Sequence, residues 1–595
     1  MQKKLWIKYR PYQLALIFGL ISGVLTGASF IPFPAWAILF NFSPLWWFWT
    51  FKAENRKQIL LSGIVTQFTF NLIGFHWVFH TAHEFGHIPW PLSFLVLLLF
   101  ALLAHLFVPL VGLLYYEFKQ RILTPAHHSE IPISSRSLTG LLLGLVGLWC
   151  LAEIYWPYIF QWNMGYTLLW AKLPLYHWAD VIGFQGLSLL LLLFNAFFVY
   201  WLRHPQTIAK QLFSASTIQG VLIALVTFVL LNVTGWLHGR SWSAKQENTQ
   251  ALHFLPIQAN IGNTEKIMAE RGMGYQDFIV DKFILLSEEA VARNPEAQIL
   301  VWPESAIPDY LDPEFSNRRR PQKIKNLLIK TQKGLIAGGY SKEIKSDPQT
   351  KNILIDNTYN ALFSLNADST LSAPPYRKHQ LLAFGEYTPF ARWFPYLNEI
   401  SPSGKGFDSG PGPGVVKANI RVPALTTDAN SLTGTNDNTI DTTTSSTKLT
   451  SFVFAPQICY ESLSPEHTRQ SVLQGAQILI NITNDSWFGY YSEPYQHLSM
   501  TFARAIENRR PLLRVTNTGI TSGIESTGEE LTQSPLYQEW AETLTLHYSE
   551  KPSLTLFTRY GGFMPLIVLL LILGGFASAL HQRQSSTKSA SRGIK

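Results

Sequence analysis

The chain has 595 residues, 47% of them hydrophobic and only 14% charged, with 19 tryptophans and a formal net charge of +8. That balance is too apolar and aromatic for an ordinary soluble protein, and the apolar residues gather in runs of the ~20 residues a bilayer-crossing helix needs. Two cysteines, Cys150 and Cys459, are too few for a disulfide framework.

In chain order, apolar runs lie at 12–31, 34–51, 58–80, 90–116, 138–156, 184–202 and 217–237, and an eighth at 561–580. The sequence therefore predicts a seven-span region over 1–244, a water-soluble domain over 245–550, and a closing span with a basic tail over 551–595. Lys3, Lys4, Lys8 and Arg10 precede the first run. Lys52, Arg56 and Lys57, then Lys119, Arg121 and Arg136, then Arg203 and Lys210, fill alternate loops, and the tail carries Arg583, Lys588, Arg592 and Lys595. The other short loops hold only Lys172. Basic residues favour the cytoplasmic side, so both termini are expected inside and the soluble domain outside. The positive charge reflects this bias, and nucleic acid is not an expected partner. A cleaved signal peptide over 1–30 is the competing reading of the start, set against an uncleaved first helix.

Between the third and fourth runs, His83-Glu84-Phe85-Gly86-His87 spells H-E-x-x-H, with His76 and His80 upstream. On a regular helix this motif presents two zinc ligands and a base, the alternative reading of an intramembrane metalloprotease. Gly86 and the Ile-Pro-Trp-Pro that follows His87 disfavour a sustained helix. An interfacial role for these histidines with Trp77 and Trp90 is the other reading. Glu153, at a span end, is a rare ionisable residue of the kind that marks a transport path.

In the soluble domain, ALHFLPIQANI, AQILVWPES, GLIAGGY, NTYNALFSL, SFVFAPQICY, AQILINITND and LLRVTNTGI read as strands bounded by turn residues. Residues 264–294 have helical spacing, with Phe278, Phe283, Ile284 and Ala290 on the expected buried side, and 493–509 reads as another helix. Alternating strands and helices predict an α/β domain. Residues 425–449 are almost wholly Thr, Ser, Asn and Asp, a composition expected to remain a disordered surface insertion. The Gly/Pro-rich stretch 404–414 reads either as a lid or as a plain connector.

Three strand-like runs end on chemically capable residues. Glu304 closes ILVWPES, Lys378 lies in PPYRKHQLLAFGEY with Glu386, and Cys459 lies in FVFAPQICYES. A carboxylate, an amine and a thiol are the parts of an activated cysteine nucleophile. A free thiol, with a pKa of ~8.5, is mostly protonated near neutrality. Lys378 would favour the thiolate, Glu304 could take its proton, and Lys378 with the amide after Cys459 could hold an oxyanion. The bland readings are a buried structural cysteine, a turn glutamate, and an exposed Lys378–Glu386 ion pair. Cys150, in LLLGLVGLWCLAEIYW, reads as a small buried hydrophobe.

WPES, YRKH followed by FGEY, and ICYES together resemble the nitrilase superfamily. With seven spans before the domain and one after, the whole chain resembles the membrane-embedded apolipoprotein N-acyltransferase family. The resemblance implies an eight-span α-helical bundle joined to an αββα sandwich. It implies Cys459 as nucleophile, Glu304 as general base, Lys378 as the cation beside the tetrahedral intermediate, and Glu386 as a second required carboxylate. Tyr460, Glu461 and Asn360 match the family's Cys-Tyr-Glu and Tyr-Asn elements. Where relatives often carry Trp after IQANI, this chain offers Ile267. The implied reaction is N-acylation of a diacylglyceryl-cysteine at a lipoprotein N-terminus from a phospholipid donor, through a thioester, at the bacterial inner membrane with the domain periplasmic. The implied partners are phospholipid, lipoprotein and membrane lipids; no cofactor and no metal are implied. A nitrilase-type hydrolase of small amides and a transporter with an outer domain are the other classes weighed.

Overall fold

The computed structural model describes residues 2–123, 134–203, 215–243, 249–262, 274–346, 353–391, 393–396, 406–423 and 447–592, with Glu265 and Met268. The chain divides into two compact units. One comprises Met1–Glu247, Trp487–Arg509 and Ser553–Lys595; the other comprises Asn248–Ser486 and Arg510–Pro552. The expected soluble domain of 245–550 therefore loses 487–509. Its helix Glu493–Asn508 is buried at every residue but Tyr495, and Gln496 explains part of the reassignment. Gln496 donates to the carbonyls of Ile31 and Gly74 and accepts from the Trp77 indole.

Among the described residues the helical unit holds five helices long and apolar enough to cross a membrane: Trp90–Ile122 taken through a break, Ser135–Tyr155, Pro174–Trp201, Thr217–Ser243 and Met564–His581. A sixth arises if Arg56–Gly74 and Trp77–Phe85, bent by 66°, count as one, and Pro11–Gly27 is a shorter apolar helix. The expected eight spans are thus not reached among the described residues. The clearest departure is 34–51, where only Ser43–Phe51 is helical. Nine residues rise ~14 Å, half the ~30 Å hydrocarbon core. Pro34 opens the run and Pro44 sits in the first turn of the helix, and turns fill the stretch between them. The apolar side chains of this short helix, among them Trp46, Phe48 and Trp49, are buried within the unit. Asn195 Oδ1 accepts from the amides of Phe42 and Ser43 at its start. Hydrophobicity in this segment serves packing rather than crossing.

The second unit contains two sheets. Strands β1 (Gln250–Pro256), β2 (Ile299–Val301), β3 (Ile307–Tyr310), β4 (Gly334–Ser346), β5 (Ile353–Leu365), β6 (Tyr376–Arg377) and β12 (Leu544–Tyr548) form the first, in the order β12-β1-β2-β4-β5-β6 with β3 on β4. Strands β7 (Val416–Pro423), β8 (Thr447–Ile458), β9 (Ile478–Thr483), β10 (Leu512–Thr516) and β11 (Ser522–Ile524) form the second, ordered β11-β10-β9-β8-β7.

Side chains alternate across each strand. Ile299 and Val301 join Phe452, Phe454, Ile480 and Ile482 in the core between the sheets. Leu300 and Trp302 point instead to a core shared with Phe283, Leu327 and Leu328, from helices Tyr275–Arg293 and Arg319–Thr331. Burial on both faces explains why ILVW is continuously apolar. With Pro465–Leu473, whose Thr468 accepts from Gln457 Nε2 of β8, the layers are helix, sheet, sheet, helix.

On Tyr275–Arg293 the buried face is Ile279, Val280, Phe283, Ser287 and Ala290. Phe278, expected inside, is exposed, because helical geometry sets it off that stripe. The expected insertion 425–449 lies largely outside the described residues, as does Ile267, but Thr447–Leu449 belong to β8.

Candidate active site

Strand ends position the groups. Glu304 follows β2 by three residues, Lys378 follows β6 directly, and Cys459 follows β8 directly. Two of these corners carry backbone in the left-handed region, with φ +54° at Ser305 and +52° at Cys459. Non-glycine residues there cost on the order of 1–2 kcal/mol. Hydrogen bonds hold the second corner. Ser462 Oγ donates to the Cys459 carbonyl at 3.0 Å, and Glu461 Oε2 accepts from the Ile458 amide at 2.9 Å.

The ionisable groups form one buried cluster. Lys378 Nζ lies 2.7 Å from Glu386 Oε2 and 3.2 Å from Glu304 Oε1. Asn360 Nδ2 forks between Glu304 Oε1 at 2.7 Å and Glu386 Oε1 at 2.8 Å. Glu304 Oε2 accepts from the Asn484 amide at 3.0 Å, and Glu386 Oε2 from the Leu382 amide at 2.9 Å. Exposures of 6% for Glu304, 1% for Lys378, 9% for Glu386 and 7% for Cys459 exclude the exposed ion pair and the solvent-facing turn.

These surroundings set the protonation states. Burial, then the Glu386 charge, raises the Glu304 carboxyl above its ordinary range, against the pull of Lys378 and Asn360. Burial opposes the Lys378 ammonium, yet the two carboxylates and the thiol outweigh it and hold the amine charged well above its usual range. The Cys459 thiol is pushed well up by burial and by Glu304, more than Lys378 brings it down. Lys378 does favour the thiolate, as expected, but burial and the two carboxylates oppose it more strongly. Two carboxylates flank that cation, which offsets its pull on the sulfur. Moving its proton to Glu304 leaves the net charge of the cluster unchanged, so no new charge need be desolvated.

Glu461 is fully buried and acts at a distance from the cluster. Its Oε1 accepts from Tyr376 Oη at 2.8 Å, the His379 amide at 2.7 Å and the Gln380 amide at 3.2 Å. It thereby ties the Lys378 segment to the Cys459 corner. Tyr460 is partly buried against the core between the sheets. Over its described part the Gly/Pro stretch is hydrogen-bonded to the site loops. Phe407 N–H donates to the Glu386 carbonyl and Gly410 N–H to the Lys378 carbonyl, at 2.8 and 2.7 Å. A Cβ on Gly410 would lie 2.1 Å from the Arg377 carbonyl, so only glycine permits this approach.

Sequence reading missed Asn484, which serves Glu304 through its backbone. It also missed Asn481, whose Nδ2 reaches the Gln457 and Cys459 carbonyls at 3.1 and 3.4 Å. The available signal was a polar Asn and Thr within ILINIT, a strand buried on both faces.

The H-E-x-x-H segment is elsewhere, in the helical unit. Thr81–Phe85 is a single π-turn, Gly86 ends it, and His87 has φ +50°. His83 Nδ1 is 2.9 Å from the Ile88 carbonyl. The two histidines therefore do not share the face of a regular helix that the zinc motif requires.

Two family models match the chain: carbon-nitrogen hydrolase over residues 256–551, and the apolipoprotein N-acyltransferase N-terminal domain over 22–197. An apolipoprotein N-acyltransferase of Bdellovibrio bacteriovorus is 40% identical over 572 residues, 96% of this chain and 94% of that one. Proteins of the same name are similar in Geobacter metallireducens, at 30% identity over 93% of this chain and 92% of that one, and in Shewanella oneidensis, at 27% over 97% and 98%.

Proposed function

The chain belongs to the apolipoprotein N-acyltransferase family, and from that premise we propose that it moves an acyl chain from a phospholipid to the α-amine of a lipoprotein's diacylglyceryl-cysteine through a Cys459 thioester. The observation that carries the reading is the buried Glu304–Lys378–Glu386 cluster, whose charges act directly on the Cys459 thiol.

In the first half-reaction Sγ attacks the ester carbonyl carbon while its proton passes to Glu304. The oxyanion forms near the Lys378 ammonium and the Tyr460 amide. The carbonyl re-forms, the C–O bond breaks, and the lysophospholipid oxygen leaves with the proton from Glu304. In the second, the amine attacks the thioester and gives its proton to Glu304. The C–S bond breaks, its electron pair returns to sulfur, and the proton follows. Glu386 and Asn360 hold Lys378 and Glu304 in place, and Glu461 keeps the two loops together. Water competes with the amine, so exclusion of solvent from the site favours transfer over hydrolysis.

Both substrates are lipid-borne, which gives the apolar helices their purpose. The reading takes the enzyme as a multi-pass protein of the bacterial inner membrane, with 1–244 and 551–595 as membrane regions, both termini cytoplasmic, and 245–550 carrying periplasmic chemistry. The support is the basic bias of alternate loops. The test incubates purified protein with phospholipid and reads the mass of the Cys459 peptide, then adds an acceptor peptide bearing diacylglyceryl-cysteine. One added acyl chain, lost on transfer to the acceptor, is expected. N-acylated product from Cys459→Ala would overturn the thioester route, and release of fatty acid without transfer would point to a hydrolase.

A further inference from the structure

On β9, which runs parallel to β8, Ile482 pairs in register with Ile458, so Thr483 stands beside Cys459. Its hydroxyl is hydrogen-bonded to the Cys459 side chain and donates to Asp485 Oδ1 at 3.0 Å. Asp485 Oδ2 accepts from Arg514 Nη2 at 2.5 Å, and Arg514 Nη1 donates to Asn481 Oδ1 at 2.7 Å. Thr483, Asp485, Arg514 and Asn481 are all 0% exposed. A Cβ on Gly519 would sit 2.3 Å from Asp485 Oδ2, so the carboxylate is closely enclosed.

A buried ion pair is a poor stabiliser compared with apolar packing, so its place behind a nucleophile calls for a reason. A hydroxyl carries one proton and two lone pairs. With Asp485 held ionised by Arg514, that proton is committed to Asp485 while the sulfur is a thiol. A lone pair then remains to accept from S–H. When the sulfur becomes negative, the same proton can turn toward it, and Arg514 continues to satisfy Asp485.

We propose that Thr483 is a further catalytic residue, hydrogen-bonded to Sγ through both half-reactions: acceptor from the resting thiol, donor to the sulfur that attacks and later leaves. Asp485 and Arg514 are its positioning pair. No proton is transferred at Thr483; only the direction of its hydrogen bond changes. The proposal rests on Cys459 being the nucleophile.

The test uses full-length protein carrying Cys150→Ser, so that Cys459 is the sole thiol. Thr483→Val keeps the shape without the hydroxyl, Thr483→Ser keeps the hydroxyl, and Thr483→Ala replaces the valine variant if that does not fold. Two rates are read by mass: acylation of Cys459 by phospholipid, and its alkylation by iodoacetamide. The valine variant should slow both on the order of 10- to 100-fold, the usual worth of a hydrogen bond to a charged group, and serine should restore both to within about threefold of Thr483. Undiminished rates in valine, or serine as slow as valine, would overturn the role of Thr483 alone. Absence of any acyl adduct on Cys459 with Thr483 intact would instead overturn the nucleophile reading, and the catalytic role with it.

Discussion

Glu304 is the residue at which charge, burial and chemistry meet, and its protonation gives a pH test. Its folded carboxyl is raised, chiefly by burial and then by Glu386, so the basic form is lost as pH falls through a value above the ordinary carboxylate range. The acylation rate should show an acid limb there. Glu386→Gln removes a charge that raises Glu304, so the limb should move to lower pH; a limb unmoved or moved upward would contradict the assignment. Cys459→Ser should lower acylation by at least about 10³-fold, because a hydroxyl is far less acidic than a thiol whose ionisation burial already opposes; turnover near wild type would sink the nucleophile assignment. Gly338 tests the geometry from behind. A Cβ there would lie 2.7 Å from Glu304 Cα and from the Pro303 carbonyl, backbone that cannot yield. Gly338→Ala should cost about 1–3 kcal/mol of stability and displace Glu304, seen as a lowered Tm with acylation reduced more than tenfold.

At the scale of elements, the corner after β8 and the segment after β6 are joined chiefly by Glu461, with a further bond from Gln380 Nε2 to Ser464 Oγ at 3.3 Å. Tyr376→Phe removes one of four donors to that carboxylate, and should cost about 1 kcal/mol with transfer kept within about tenfold. Glu461→Ala strands the amides of Ile458, His379 and Gln380 in a buried site. It should cost several kcal/mol, since each orphaned buried group costs ~1–3 kcal/mol, and folded yield should collapse. Similar yields for the two variants would show that Glu461 does not clamp these loops. These contacts were hidden in the sequence because Glu461 acts on backbone amides, whose positions no side-chain pattern records. Asn484 was hidden for the same reason. Glu304 and Cys459 were legible because each sits where an apolar run stops, and Lys378 because it shares a short segment with Glu386.

For the whole molecule, Cys150 and Cys459 are both buried, so a cysteine placed on the surface can report sidedness. Glu529 is exposed beside the turn at Gly528. Glu529→Cys should react with a membrane-impermeant maleimide from outside intact spheroplasts, whereas a cysteine appended after Lys595 should react only once the membrane is opened. The reverse pattern would invert the orientation read from the basic loops. The helix count does not decide this, because 34–51 met the hydropathy criterion for a span yet forms turns and a short helix packed within the unit.

Composition, the order of apolar runs and three chemically capable strand ends were enough to determine the sheet-and-helix character and the presence of several long apolar helices, and to point to the residues on which the proposed reaction rests. Those properties depend on local pattern, and pattern is written in sequence. Tertiary structure alone decided that Asn360 divides its amide between two carboxylates. It also decided that Lys378 stands between those carboxylates, that 406–414 braces the loops beside it, and that 487–509 belongs with the helices. Each of these depends on groups far apart in the chain arriving within hydrogen-bonding reach. Such bonds require distances near 3 Å, and sequence spacing does not encode distances of that kind between separate elements.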